Sequence, residues 1–235
     1  MPNSSNNKPS IVLVHGAFAD GSSWRKIIPL LEEDGFTVTA VQIPLKSLAD
    51  DVAATKRAID AQAGHVVLVG HSYGGAVITD AAVGNAKVKA LVFVSAWIPD
   101  AGESLGELMA KYPAPPLATA MAPDSAGFLY IDRIKFHEVF AQDVPVAEAS
   151  VLAATQKPIA ASVFGESVTG AAWKTVPSWS AVSTQDRAIN PELERFMAKR
   201  TGARTTEIPA SHVSLVSRPT EIAKIIEAAA VATRD

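Results

Sequence analysis

The sequence predicts an α/β fold: about six parallel strands flanked by helices, with a helical cap inserted before the penultimate strand. Three observations predict it. Strand-like and helix-like stretches alternate four times in under a hundred residues, joined by short connections. The strand-like runs, such as Val66-Val67-Leu68-Val69 and Val88–Ser95, are apolar at consecutive positions, which calls for burial on both faces of a parallel sheet. The alternation then breaks after Trp97 and resumes at Pro177.

The elements follow in order. Ser10–Val14 reads as a strand that ends at His15-Gly16. Ser22 is placed to cap a helix from Ser23 to Asp34, stopped by Gly35. Phe36–Ile43 alternates and is rich in β-formers, and Pro44 ends it. Ser47 caps a helix running to about Gln62, with Leu48, Val52, Ala58 and Ile59 roughly on one face. The strand His65–Val69, the helix Ala76–Ala82 and the strand Val88–Ser95 complete this half. The segment at about 97–175 shows no strong strand; it carries prolines and short helical patterns at Ser104–Tyr112, Ile131–Ala141, Pro145–Thr155 and Ile159–Phe164. Such an insert reads as a lid over the site. After it come a strand at Pro177–Thr184, a helix at Pro191–Thr201 stopped by Gly202, a strand at Ala203–Ile208 and a closing helix from Pro219 to about Ala232.

Bulk properties narrow the function classes. The 235 residues suit one domain, 10–235, behind a polar lead-in, 1–9, expected to be disordered. Hydrophobic residues make up 48% and charged residues 19%, an ordinary globular mix. A net charge of −3 implies no basic face, so nucleic acid is not expected as a partner. No apolar run has a membrane-spanning length, and the first residues lack the apolar core of a signal peptide. No membrane partner and a cytoplasmic location are therefore expected. The absence of cysteine rules out disulfides, thiolate metal sites and a cysteine nucleophile.

The most informative motif is Gly70-His71-Ser72-Tyr73-Gly74, between a strand and a helix. Glycines two residues either side of a serine permit a turn tight enough to lift the hydroxyl clear of the sheet. A serine hydroxyl needs a base, and the base an orienting acid. His212 lies in the loop after the last strand, on the sheet edge where Ser72 sits. Of the other histidines, His15 is expected to support the loop behind the site and His71 to point away from its open face. His65 begins a strand at the far edge, and His137 is expected to be solvated in the insert. Asp186 stands at the end of the penultimate strand and is the expected acid; Asp100, in a Pro-Asp-Ala-Gly turn, is the rival. Two backbone amides are needed to face a developing oxyanion. Tyr73 N–H, at the start of a helix, and Ala17 N–H, after Gly16, are the candidates. Phe18 and Trp97 are expected near bound substrate.

Val14-His15-Gly16-Ala17 with Trp24, Gly70–Gly75, Asp186-Arg187-Ala188-Ile189 and Ser211-His212 together resemble the α/β-hydrolase superfamily, from about Ser10 to Ala232. The resemblance is greatest to a branch of small esterases and hydroxynitrile lyases, in its bacterial form. It implies a cofactor-free fold without a metal, a Ser72–His212–Asp186 triad, and Ala17 and Tyr73 amides as oxyanion donors. The implied activity is that of a serine esterase on small apolar or aryl esters. Lactone cleavage, perhydrolysis of the haloperoxidase kind, cyanohydrin cleavage and a non-enzymatic ligand-binding role are the alternatives. Plant lyases of this branch carry threonine where Gly16 stands and lysine where Val213 stands. Without that lysine a cyanide ion loses its positive partner, which favours ester hydrolysis. The expected partner is a small ester, and the expected state a monomer or homodimer.

Overall fold

A computed structural model describes residues 8–233, and residues 1–7 of the expected lead-in lie outside the described residues. Lys8 and Pro9, at the end of that stretch, are packed: Pro9 is buried and the Lys8 ammonium sits 4.9 Å from the centre of the Phe36 ring.

The main sheet holds β1 (Ser10–Val14), β2 (Val38–Val41), β3 (Val66–His71), β4 (Val88–Val94), β8 (Ser178–Ser183) and β9 (Arg204–Ile208). Its spatial order is β2-β1-β3-β4-β8-β9, with all neighbours parallel. The burial of each strand follows its place. Every residue of β3 and β8 is buried, whereas the edge strand β9, Arg-Thr-Thr-Glu-Ile, is exposed except at Ile208. A strand covered on both faces has no reason to alternate, and an edge strand has charged residues to spare.

Helices close both faces. α2 (Leu48–Asp60) and α3 (Tyr73–Ala81) pack on each other and on β1 and β3. α1 (Ile28–Glu33) packs on α9 (Pro219–Ala232), which also covers β3, β4 and β8. α7 (Pro191–Thr201) lies against β8, starts at Asn190, whose side chain caps Glu192 N–H, and ends at left-handed Gly202. Register aligns the carboxyl ends: Val14 pairs with Gly70, His71 with Val94, and Ser183 with Ile208. The loops after these strands therefore open on one rim.

The first helix is shorter than expected. Gly21–Trp24 forms a 3-10 turn capped by Asp20, and α1 begins only at Ile28. Pro29 explains the break, since its ring excludes it from the interior of a helix begun at Ser23. The cap also differs from expectation, because it holds strands as well as helices. β5 (Met121–Pro123), β6 (Phe128–Ile131) and β7 (Ile159–Ala160) form a three-stranded antiparallel sheet. Asp124 Oδ1 accepts from Ala126 N–H and Phe128 N–H, and Gly127 at φ 81° completes the turn between β5 and β6. The helix expected over Ile131–Ala141 is confined to α5 (Phe136–Phe140), and that over Ile159–Phe164 is a two-residue strand plus a 3-10 turn. α6 (Val146–Thr155) stands where expected, α4 (Leu105–Met109), with a Ser104–Glu107 capping box, covers only the first part of the helix expected over Ser104–Tyr112, and α8 (Ser214–Ser217) is a short turn before α9. Among the described residues no helix is long and apolar enough to cross a membrane.

Candidate active site

Ser72 lies between β3 and α3 with φ 52° and ψ −124°, a backbone state that costs a non-glycine residue energy. Close packing on every side holds the turn there. A Cβ on Gly70 would stand 2.5 Å from Gly74 O, and one on Gly74 2.5 Å from Val14 O. The strand, the turn and the helix are thus in near contact through their backbones.

Three distant side chains meet at this turn. His212 Nε2 lies 2.8 Å from Ser72 Oγ, and His212 Nδ1 lies 2.6 Å from Asp186 Oδ2. The Asp186 carboxylate accepts only, so Nδ1 carries the imidazole proton and Nε2 is free to accept the serine hydroxyl proton. Ser72 is 6% exposed, His212 1% and Asp186 6%, so water screens the line little. Asp186 is fixed in turn, because its Oδ1 accepts from Ala188 N–H at 2.6 Å and Ile189 N–H at 2.9 Å. Asp100 is elsewhere, in a surface ion pair with Lys174 at 2.5 Å.

The remaining histidines are structural. His15 is buried and its pKa is lowered to about 4 by desolvation. It is therefore neutral, with Nδ1–H donating to Gly16 O at 2.8 Å and Nε2 accepting from Ile43 N–H at 3.2 Å. His71 lies beside the line, its Nε2–H donating to His212 O at 2.9 Å. Burial and the neighbouring His212 hold its pKa well below the ordinary value. His65 precedes β3 and so lies at the opposite rim. His137 is not solvated as expected, since it is half-buried and its ring donates to Val144 O at 2.9 Å.

Ala17 and Tyr73 both border the cavity in front of Ser72. Tyr73 is the first residue of α3, so its N–H has no partner within the helix. Its side chain is anchored behind, with the hydroxyl donating to Asp51 Oδ2 at 2.7 Å. Asp51 is buried, and desolvation raises its pKa to about 6 despite that bond and the Leu45 N–H at 2.7 Å. The segment Ile43–Leu45 touches both supports. It donates to His15 and Asp51, and it accepts from the cap, at Ile43 O from the Lys157 ammonium and at Leu45 O from Ala160 N–H at 2.9 Å.

A partly open cavity lies in front of Ser72. Phe18, Trp97, Leu117, Met121, Phe140 and Phe164 form much of its wall, and among the described residues no charged side chain borders it. Phe140, from the cap, packs its ring 4.8 Å from that of His212 and edge-on to Phe18 at 6.2 Å. Leu117 and Met121 were not legible as wall residues in the sequence, because an apolar residue in an irregular segment reads equally as cap core.

A hydrogen-bonded Ser–His–Asp line at the carboxyl rim of a parallel sheet, under a cap, defines the class of protein. The chain belongs to the alpha/beta hydrolase family, whose family model matches residues 11–225. It is 27% identical over 240 residues to a probable hydrolase of a Phoma species, covering 93% of this chain and 97% of that one. It is 26% identical over 254 residues to a carbendazim hydrolyzing esterase of a Nocardioides species, covering 93% and 98%. Plant methylesterases, a polyneuridine aldehyde esterase and an alpha-hydroxynitrile lyase are also among its relatives. A pyrethroid hydrolase structure from Sphingobium faniae shares the fold, with a TM-score of 0.81 at 22% identity over 95% of this chain and 98% of that one.

Proposed function

We propose that the protein is a serine carboxylic-ester hydrolase acting on small, uncharged apolar or aryl esters through an acyl-serine intermediate. The observation that carries this reading is the unbroken Ser72–His212–Asp186 line opening onto an apolar cavity without charged side chains. The esterase names among the relatives support it.

In this reading Ser72 Oγ attacks the ester carbonyl carbon while its proton passes to His212 Nε2. Asp186 holds the Nδ1–H and stabilises the imidazolium. The carbonyl oxygen, now negative, is met by the Ala17 and Tyr73 amides. The carbon–alcohol oxygen bond breaks, His212 returns its proton to the leaving alcohol, and the acyl group stays on Ser72. Water then repeats the sequence, giving up a proton to His212 as it attacks, and releases the acid. The acyl or alcohol part rests against Phe18 and Trp97. A carboxylate-bearing substrate would be buried there with no cation to pair it, which disfavours acidic esters. Val213, which stands where plant lyases of the branch carry lysine, is apolar and offers a cyanide ion no positive partner; it lines a second cavity to which Phe18 and Phe140 also contribute.

Turnover of p-nitrophenyl acetate and butyrate by the wild type, abolished in Ser72→Ala, is the expected result. Undiminished turnover by purified Ser72→Ala refutes the assignment. Labelling by a fluorophosphonate, lost in the same variant, separates an enzyme from a pure binder.

A further inference from the structure

One buried acid takes no part in the chemistry above. Glu194 sits in the first turns of α7 on the face turned to the sheet, and is 2% exposed. Its Oε2 accepts from Ser183 N–H at 3.2 Å. Its Oε1 is buried and has no donor facing it. Another carboxylate, that of Asp186, is within hydrogen-bonding reach of Glu194. Asp186 in turn already accepts from Ala188, Ile189 and His212.

Two carboxylates in contact out of water cannot both stay charged without a cation between them. None is supplied. Arg195, the next residue along α7, is directed to Glu192 at 2.5 Å and to Glu207 on β9 at 2.8 Å. The helix N-terminus favours a charge at Glu194, but complete burial beside a second anion outweighs it. One proton shared by the pair gives the orphaned oxygen a partner.

We infer that Glu194 is a positioning residue: its carboxylic acid donates a hydrogen bond to Asp186 from behind the Ser72–His212–Asp186 line. Burial first, and then the charge of Asp186, hold its pKa well above the ordinary carboxyl range, in agreement with a retained proton. Asp186 carries the single charge of the pair, on the side that faces His212. The bond from Glu194 draws some of that charge away from the imidazolium and locks the carboxylate plane. This inference rests on the catalytic reading of the line.

The test has two parts. The first does not depend on activity. Infrared difference spectra at pH 7 between the Ser72→Ala protein and its Glu194→Gln derivative are expected to show loss of one carboxylic-acid carbonyl band. A carboxylate band lost in its place overturns the proposal, even if the enzyme is an esterase. The second part is the pH profile of kcat/KM with p-nitrophenyl acetate. In Glu194→Leu the donor is gone, Asp186 holds the imidazolium more tightly, and the acidic limb moves up by about one pH unit. Gln has an N–H to offer Asp186 and an oxygen to accept from Ser183, so Glu194→Gln rescues the limb. A limb that moves down in Glu194→Gln identifies Glu194 as a charged group and refutes the inference. Should Glu194→Leu fail to fold, the infrared result and the direction of the Gln limb still decide. Loss of all turnover in every form, wild type included, refutes the esterase reading but leaves the infrared arm intact.

Discussion

The two walls of the site are built in different ways. The lower wall belongs to the main sheet: β1, β3, β8 and β9 end along one rim, and the turns after them carry Ala17, which borders the cavity, and Ser72, Asp186 and His212, which are joined by hydrogen bonds. The upper wall belongs to the cap, where Leu117, Met121, Phe140 and Phe164 come from short helices, turns and a three-stranded sheet. Below, backbone approaches of 2.5 Å to a notional Cβ leave no room for change. Above, contacts are between apolar side chains, which can repack at modest cost. In the proposed reading the rigid wall sets the chemistry and the adaptable one the choice of substrate.

Four experiments would break or sharpen that contrast. On the lower wall, Ser72→Ala and His212→Ala should each lower kcat/KM for p-nitrophenyl butyrate by about 10⁴–10⁶ while leaving the melting temperature nearly unchanged. Gly74→Ala drives a methyl into Val14 O and should cost about 3 kcal/mol or more in chemical denaturation, with activity falling along with the folded fraction.

Asp51 tests the support beneath Tyr73. Its folded pKa, about 6, lies above its ordinary value of 3.8, so the folded state binds the extra proton. The stability this contributes is full below pH 4 and is lost as pH rises through 6. Relative to Asp51→Asn, the wild type should therefore lose up to about 3 kcal/mol between pH 4 and 7, read as the difference of two denaturant titrations. A constant difference over that window removes Asp51 from the account.

On the upper wall, Met121→Ala should move the preferred acyl length by a carbon or two, with a change in kcat/KM of about tenfold or less and no loss of the Ser72 label. An abolished reaction there would show that the cap contributes to the chemistry itself.

The same contrast governs what could be read in the sequence. β3 is an unbroken apolar run that leads straight into Gly70–Gly74, so strand, turn and helix announce themselves together. His212 and Asp186 could be chosen because strand ends share a rim. The cap strands could not be found. β5 and β7 have three and two residues, and half-exposed positions in β6 give no alternation to follow. Pro29 is visible in the sequence and marks the point where the longer expected helix breaks. Glu194 gave no signal at all, because an acid near a helix start normally points to water. Only the fold turns it inward.

The bonds at Ile43–Leu45 carry a consequence for engineering. Lys157 and Ala160 hold that segment from above, while His15 and Asp51 hold it from below. A cap grafted from a relative could match the cavity and still unseat the amides of Ala17 and Tyr73 if it brought no substitutes for those two attachments. Exchange of specificity between members of this family therefore calls for transplanting the hinge points with the roof, not the roof alone.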